Sequence, residues 1–117
     1  SKIGIQCILI GGKDESNNIK NLISLVDKAI KKQPLNYAGM TSYKDIVYLS
    51  SYAKYAIGND TGPIHLIATC GLSTIVLFGS GSNPDLCAPI GKNVTILKKP
   101  SIRDITVNSV FKVIKNV

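Results

Sequence analysis

The run Gly58-Asn59-Asp60-Thr61-Gly62-Pro63-Ile64-His65-Leu66 groups an acid, a hydroxyl and the chain's single histidine around a glycine and a proline. An apolar stretch, Tyr55 to Gly58, precedes it and reads as a short strand. After Gly62, the residues Ile64, Leu66, Ile67 and Ala68 have the spacing of a buried helix that ends at Gly71. A strand, a polar turn and a helix opened by Gly and Pro together make an anion site. The first backbone N–H groups of a helix lack internal partners, and the aligned peptide dipoles favour negative charge there. Pro63 suits an early helical position, where its missing N–H is no loss. His65 follows Thr61 by one helical turn, so both can face the helix mouth. A plain alternative stands beside this: Asp60 or Thr61 caps the helix and binds nothing.

The elements around this run follow from periodicity and punctuation. Ile3 to Ile10 is a near-continuous apolar run, as expected of a strand covered on both faces, and Gly11-Gly12 ends it. A helix is expected from Asn17 or Asn18 to about Lys32, with Ile19, Leu22, Ile23, Val26 and Ile30 on one stripe and Pro34 as its stop. Leu35 to Ala38 reads as a short strand closed by Gly39. Ser42 is positioned to cap a second helix whose buried side holds Ile46, Val47, Leu49 and Ala53. Thr74 to Phe78 is rich in β-branched and apolar residues, the composition of a central strand. A Gly/Ser/Asn loop from Gly79 to Pro84, a strand from Asn93 to Leu97 and a helix from Ile105 to Ile114 complete the chain. Alternating strands and helices with short connections imply an α/β fold: a Rossmann-like parallel sheet of about five strands with helices on both faces. Ligands of such sheets sit beyond the carboxyl ends of the strands. Gly11-Gly12, Gly39, Asn59-Asp60 and Gly79 all fall at those ends, which points to a nucleotide-sized ligand.

The residues also fit a known pattern. Asp60-Thr61-Gly62-x-x-His65-Leu66, followed by Gly71 and the strand Thr74 to Phe78-Gly79, resembles the ADP-heptose:lipopolysaccharide heptosyltransferases of glycosyltransferase family 9. Leu9-Ile10-Gly11-Gly12 with Glu15 looks like that family's strand end, and Gly39-Met40-Thr41-Ser42 like its helix entry. Ala88-Pro89-Ile90-Gly91 is similar to its small-Pro-aromatic-Gly loop, and Ile105-Thr106-Val107-Asn108-Ser109-Val110 to its C-terminal helix. The resemblance runs through nearly the whole chain in the family's order. It implies the C-terminal, donor-binding half of a GT-B glycosyltransferase; the unpaired cysteines favour the cytoplasm, with peripheral contact at the inner membrane left open. The parent reaction would transfer heptose from an ADP-sugar to the lipopolysaccharide inner core, with inversion and without a covalent intermediate.

Residue roles follow from the same resemblance. The backbone N–H groups of Thr61 and Gly62 would take the diphosphate, Asp60 would accept from sugar hydroxyls, and His65 would donate to a phosphate oxygen. Glu15 would accept from the ribose diol, with Met40 and Thr41 near adenine. No metal or cofactor is required if the helix terminus and His65 carry the diphosphate, and no residue of this chain is assigned a catalytic role. Plainer readings remain beside each: Glu15 as a first-turn helix acid, Met40 as core filler, Thr41 as a loop hydroxyl, His65 as a structural cap. The segment Ser80-Gly81-Ser82-Asn83-Pro84 departs from the family's P-T-x-P, so only Gly79 is placed in the site there. By this comparison the chain opens at the second strand of the donor half. The strand before it, and the N-terminal domain that carries the acceptor and the general-base carboxylate, are expected to lie outside these residues. The 117 residues then form one partial nucleotide-sugar-binding domain. A non-catalytic nucleotide-sugar module, or a family 9-like transferase fragment with another donor, is the alternative.

Composition excludes several other classes. No apolar run approaches the roughly 18 residues of a membrane-spanning helix, and Ser1-Lys2-Ile3-Gly4 is no signal peptide. Cys7, Cys70 and Cys87 lack C-x-x-C spacing and read as buried reduced thiols, without disulfide or zinc. The net charge of +7 comes from dispersed lysines without aromatic-basic alternation, which argues against nucleic acid as partner. Most of these lysines read as solvated. Weak attraction to an anionic membrane surface, and self-association through exposed strand edges, stay open. Asp-Thr-Gly also occurs in dimeric aspartic proteases, but those need an all-β chain pairing such acids across an axis. The helical stripes contradict that. The absence of G-x-x-x-x-G-K-[S/T] removes a P-loop nucleotidase.

Overall fold

The computed structural model describes residues 5–29, 32–59, 61–79, 91 and 93–114, which fall into two compact units, Ser1–Ser42 and Tyr43–Val117. In the first, β1 (Ile8–Leu9) pairs in parallel with β2 (Leu35–Asn36), Ile8 opposite Leu35 and Leu9 opposite Asn36. Backbone pairing runs past the strands themselves. The N–H groups of Leu35, Tyr37 and Gly39 donate to the carbonyls of Cys7, Leu9 and Gly11 at 3.0, 2.9 and 2.7 Å. Between the strands lie a 3-10 turn (Lys13–Glu15) and α1 (Ser16–Ser24). The apolar stripe predicts a helix to Lys32, yet α1 ends a full turn or more earlier. The Ser24 hydroxyl donates to the Asn21 carbonyl, the Leu25 and Val26 amides turn back to Leu22 and Ile23, and the Asp27 carboxylate accepts from the Ala29 amide at 2.9 Å. These local bonds offer the backbone an alternative to helix, and the remaining apolar positions are too few to override them. Ile30 and Lys31 lie outside the described residues.

The second unit holds a three-stranded parallel sheet in the order β3 (Tyr55–Asn59), β4 (Ser73–Phe78), β5 (Val94–Lys98). Consecutive residues of β4 are buried: Thr74, Ile75, Val76 and Phe78 are at most 1% exposed. Side chains alternate between faces along a strand, so β4 is covered on both, as a central parallel strand must be. Helix α3 (Gly62–Thr69) packs on β3 and β4 and against α2 (Tyr43–Tyr52). Its Ile64, Ile67 and Ala68 join Ile46 of α2 in the core, and Ile64 lies against Gly58, where a side chain would crowd it. Gly71, at φ +84°, turns the chain from α3 into β4. A 3-10 turn (Ile102–Asp104) and α4 (Val107–Ile114) follow β5. The parallel α/β class expected from the sequence is therefore present, with five strands among the described residues in ladders of two and three.

Some expectations need correction. On α2 the buried row is Ile46 and Ser50, whereas Val47 is 44% exposed and Ala53 is exposed. Positions four apart share a helix face, and the Ser50 hydroxyl donates to the Ile46 carbonyl at 2.8 Å, so a polar residue occupies that row with its hydrogen bond made. Helix α4 starts at Val107 rather than Ile105 because Thr106 caps it, its Oγ1 accepting from the Ser109 amide at 3.1 Å. Cys7 and Cys70 are free, but exposed rather than buried. Cys70 caps the C-terminus of α3 beyond its buried stripe, and Cys7 precedes β1. Cys87 and the loop residues Ser80–Pro84 lie outside the described residues.

The burial of β4 sets a stability expectation. Phe78→Ala should lower unfolding free energy by about 3–5 kcal/mol, and Val47→Ala should change it by no more than about 0.5 kcal/mol. Urea titration followed by circular dichroism checks both.

Candidate functional site

Each described strand of the two ladders except β5 hands over at its carboxyl end to residues named from the sequence. In the first unit the chain leaves β1 through Gly11-Gly12 into the 3-10 turn. The Glu15 amide closes that turn on the Gly12 carbonyl at 3.0 Å. Two glycines here have close neighbours, and backbone conformation requires glycine at the second. At Gly11 the Glu15 carboxylate occupies the place a Cβ would take. At Gly39, φ is +71° and the Lys13 backbone passes close enough to exclude a side chain. Glu15 precedes α1 without a side-chain capping bond. Its carboxylate thus leans back over the glycine turn instead of serving the helix.

Met40 is 70% exposed, so it is not core filler. Thr41 is half-buried in the turn that follows. Asn36 was not singled out from the sequence, yet it organises this turn. Its Oδ1 accepts from the Ala38 amide at 3.0 Å, and its Nδ2 donates to the Ser16 carbonyl at 3.3 Å. The available signal was an Asn shortly before a glycine turn, the pattern of an Asx turn.

In the second unit, β3 ends at Asn59 and α3 begins at Gly62, with Thr61 as N-cap in extended conformation (φ −136°, ψ 164°). Thr61 is exposed and its side chain makes no capping hydrogen bond. The simple capping role considered for this threonine is therefore not the one it plays. Pro63 occupies the first turn, and the first helical bond, from the His65 amide to the Thr61 carbonyl, measures 3.3 Å. His65 is half-buried one turn into α3 and makes a side-chain or backbone interaction of its own. Gly79 is buried at the end of β4, against Ile102 of the second 3-10 turn. Asp60 lies outside the described residues. Thr61, Gly62, His65 and Gly79 thus belong to one unit and Glu15, Met40 and Thr41 to the other.

A helix start of this kind, with a favourable dipole and a hydroxyl that makes no cap bond, is chemically suited to an anion. No group of three or more His, Cys, Asp or Glu able to hold a metal ion occurs among the described residues. No described helix is long and apolar enough to cross a membrane.

With the geometry in place, the sequence profile of glycosyltransferase family 9 (heptosyltransferase) matches residues 1–110. The chain belongs to glycosyltransferase family 9. Its fold is similar to that of the Escherichia coli ADP-heptose LPS heptosyltransferase II, at TM-score 0.89 and 22% identity over 98% of this chain. It is also similar to a family 9 glycosyltransferase of Veillonella parvula DSM 2008, at TM-score 0.84 and 16% identity over 98% of the chain. The chain spans 37% of the length of each of those proteins. No curated protein matches it.

The glycine geometry and the cap each generate an expectation. Gly39→Ala and Gly71→Ala both force a positive φ, costing about 1–2 kcal/mol. Gly71 has nothing within 4 Å of a new Cβ, whereas Gly39 has Lys13, so Gly39→Ala should be the more damaging. Thr61→Ala should change stability by at most about 0.5 kcal/mol, since no cap bond is lost. Thermal unfolding of the three variants measures these differences.

Proposed function

We propose that these residues form the donor-binding part of a heptosyltransferase that uses ADP-heptose and extends the lipopolysaccharide inner core. The reading rests most heavily on the start of α3. In a chain of this family, an exposed helix mouth with an uncommitted Thr61 hydroxyl follows the parallel strand β3. The diphosphate is received by the amides of Thr61 and Gly62 and by His65, and the sugar hydroxyls by Asp60. Glu15 accepts from the ribose diol, and the exposed thioether of Met40 lies with Thr41 along adenine. Gly79, buried against Ile102 at the end of β4, stands at the margin of this site. The place of action is the cytoplasm, at the inner face of the membrane where the glycolipid acceptor is anchored. The 117 residues act as one partial nucleotide-sugar-binding domain, and the acceptor is presented by the remainder of a two-domain fold.

The arrangement sustains inverting transfer only when an acceptor hydroxyl and a base are held against the donor. General-base assistance contributes about 10²–10⁴-fold, and positioning donor and acceptor together up to about 7–11 kcal/mol. On this reading neither comes from the 117 residues alone.

Calorimetry with ADP or an ADP-sugar tests the site. Asp60→Ala and His65→Ala should each weaken binding by about 1–3 kcal/mol, the scale of a lost charge-assisted contact. Unchanged affinity in both, with the fold intact, would leave those residues a structural role only.

A second measurement follows transfer of heptose to a heptose-free lipopolysaccharide. The chain alone should show no useful turnover, and activity should appear once a complementary N-terminal half is supplied. Robust turnover by the isolated chain would make a carboxylate here, Asp60 or Glu15, the base. The rival reading is a binding module or a transferase for another donor. A thermal-shift panel of ADP-, UDP- and GDP-sugars separates these donors.

A further inference from the structure

Two turns of the first unit are joined by one side chain. Asn36 is the last residue of β2 and lies opposite Leu9, the last of β1. The turn after β1 delivers Glu15, and the turn after β2 delivers Met40 and Thr41. Asn36 reaches into both. Its Oδ1 accepts from the Ala38 amide at 3.0 Å, which shapes the turn leading to Gly39 and Met40. Its Nδ2 donates to the Ser16 carbonyl at 3.3 Å and to the Ser16 hydroxyl at 3.4 Å, at the residue directly after Glu15. A backbone amide can only donate and a carbonyl can only accept, so these partners leave the carboxamide one orientation.

Backbone contacts already hold the two turns close. The Gly39 amide donates to the Gly11 carbonyl at 2.7 Å, and the Lys13 Cα lies 3.0 Å from where a Cβ on Gly39 would stand. Asn36 adds what those contacts lack, a tie to the start of α1 and so to the glutamate before it. Glu15 makes no side-chain cap bond that would fix it to the helix instead. Asn36 is also half-buried, where water competes less for its hydrogen bonds than at an open surface.

In a nucleoside the ribose hydroxyls and the base stand at a set separation. Two turns that receive them must hold the matching separation before the ligand arrives, or ordering them is subtracted from the affinity. We infer that Asn36 is a positioning residue that couples recognition of ribose by Glu15 to recognition of the base by Met40 and Thr41. It acts through those residues, and the inference rests on the nucleoside roles proposed for them.

Calorimetry on the full chain tests it with ADP, with ADP lacking both ribose hydroxyls (dideoxy-ADP), and with UDP, whose smaller base offers Met40 less surface. The unsubstituted chain should prefer ADP over dideoxy-ADP about tenfold, the scale of hydrogen bonds to a carboxylate. Asn36→Asp keeps an oxygen for the Ala38 amide and loses the donor to Ser16. It should reduce the ribose preference to about threefold or less, as Glu15→Gln does, and retain the preference for ADP over UDP. Asn36→Ala loses both bonds and should lower both preferences. The double substitution of Asn36→Asp with Glu15→Gln should cost little beyond either alone, because both act on one contact.

Each preference is a ratio within one protein, so a general loss of stability, or the charge of the added carboxylate, cancels. Asn93→Asp removes a comparable tie, from Asn93 Nδ2 to the Gly71 carbonyl at 2.9 Å, and should leave both preferences unchanged. A ribose preference lost in Glu15→Gln yet intact in Asn36→Asp would overturn the inference and leave the donor reading standing. Equal losses from Asn93→Asp would overturn it as well. An unsubstituted chain that distinguishes ADP from neither analogue would overturn the nucleoside roles, and the inference with them.

Discussion

Burial of β4 on both faces is the constraint on which the second unit turns. A parallel strand buried in this way can present no polar side chain without a partner, so chemistry is driven to its ends. The one polar member, Thr74, obeys the rule by donating its hydroxyl to the Leu72 carbonyl at 2.8 Å. Since the strands are parallel, every carboxyl end lies on one side of the ladder. Asn59, Gly79 and Lys98 are brought to that side by pairing alone. The same burial anchors α3, whose apolar residues must face β3 and β4, which leaves its first turn at the rim.

The first unit works by a different balance. Ala38 is its one buried residue among those described, and its short ladder is extended by backbone bonds through Gly39 and Gly11. Order there comes from turns more than from core: the Asn36 side chain, the 3-10 closure on Gly12, and glycines where Lys13 and Glu15 crowd the backbone. Turns of this kind hold polar groups in set directions at the surface, which is what recognition of a nucleoside requires.

Family membership and local geometry contribute separately to the functional reading. The profile match fixes the family, and the solved relatives, at 22% and 16% identity, speak to the fold. The uncommitted Thr61 hydroxyl and the exposed Met40 are observations of this chain. Each removes a structural explanation for a residue that the family pattern assigns to the ligand.

Periodicity and punctuation by themselves determined the parallel α/β class, the strands around Tyr55 and Thr74, and the helix opened by Gly62-Pro63. These depend on local rules: β-branched runs, the fixed φ of proline and the helical period of apolar residues. The order Asp60-Thr61-Gly62-x-x-His65 likewise carried the family without coordinates. Other features were settled only by tertiary structure. The end of α1 at Ser24 was decided by side-chain bonds competing with the helix, which an apolar stripe cannot register. The buried row of α2 passed to Ser50 instead of Val47 because packing selects a face and a back-bonded hydroxyl can occupy it. The exposure of Met40 and the turn built by Asn36 depend on which strand lies beside which. Strand neighbours are fixed by contacts between residues far apart in the chain, and no local pattern records them.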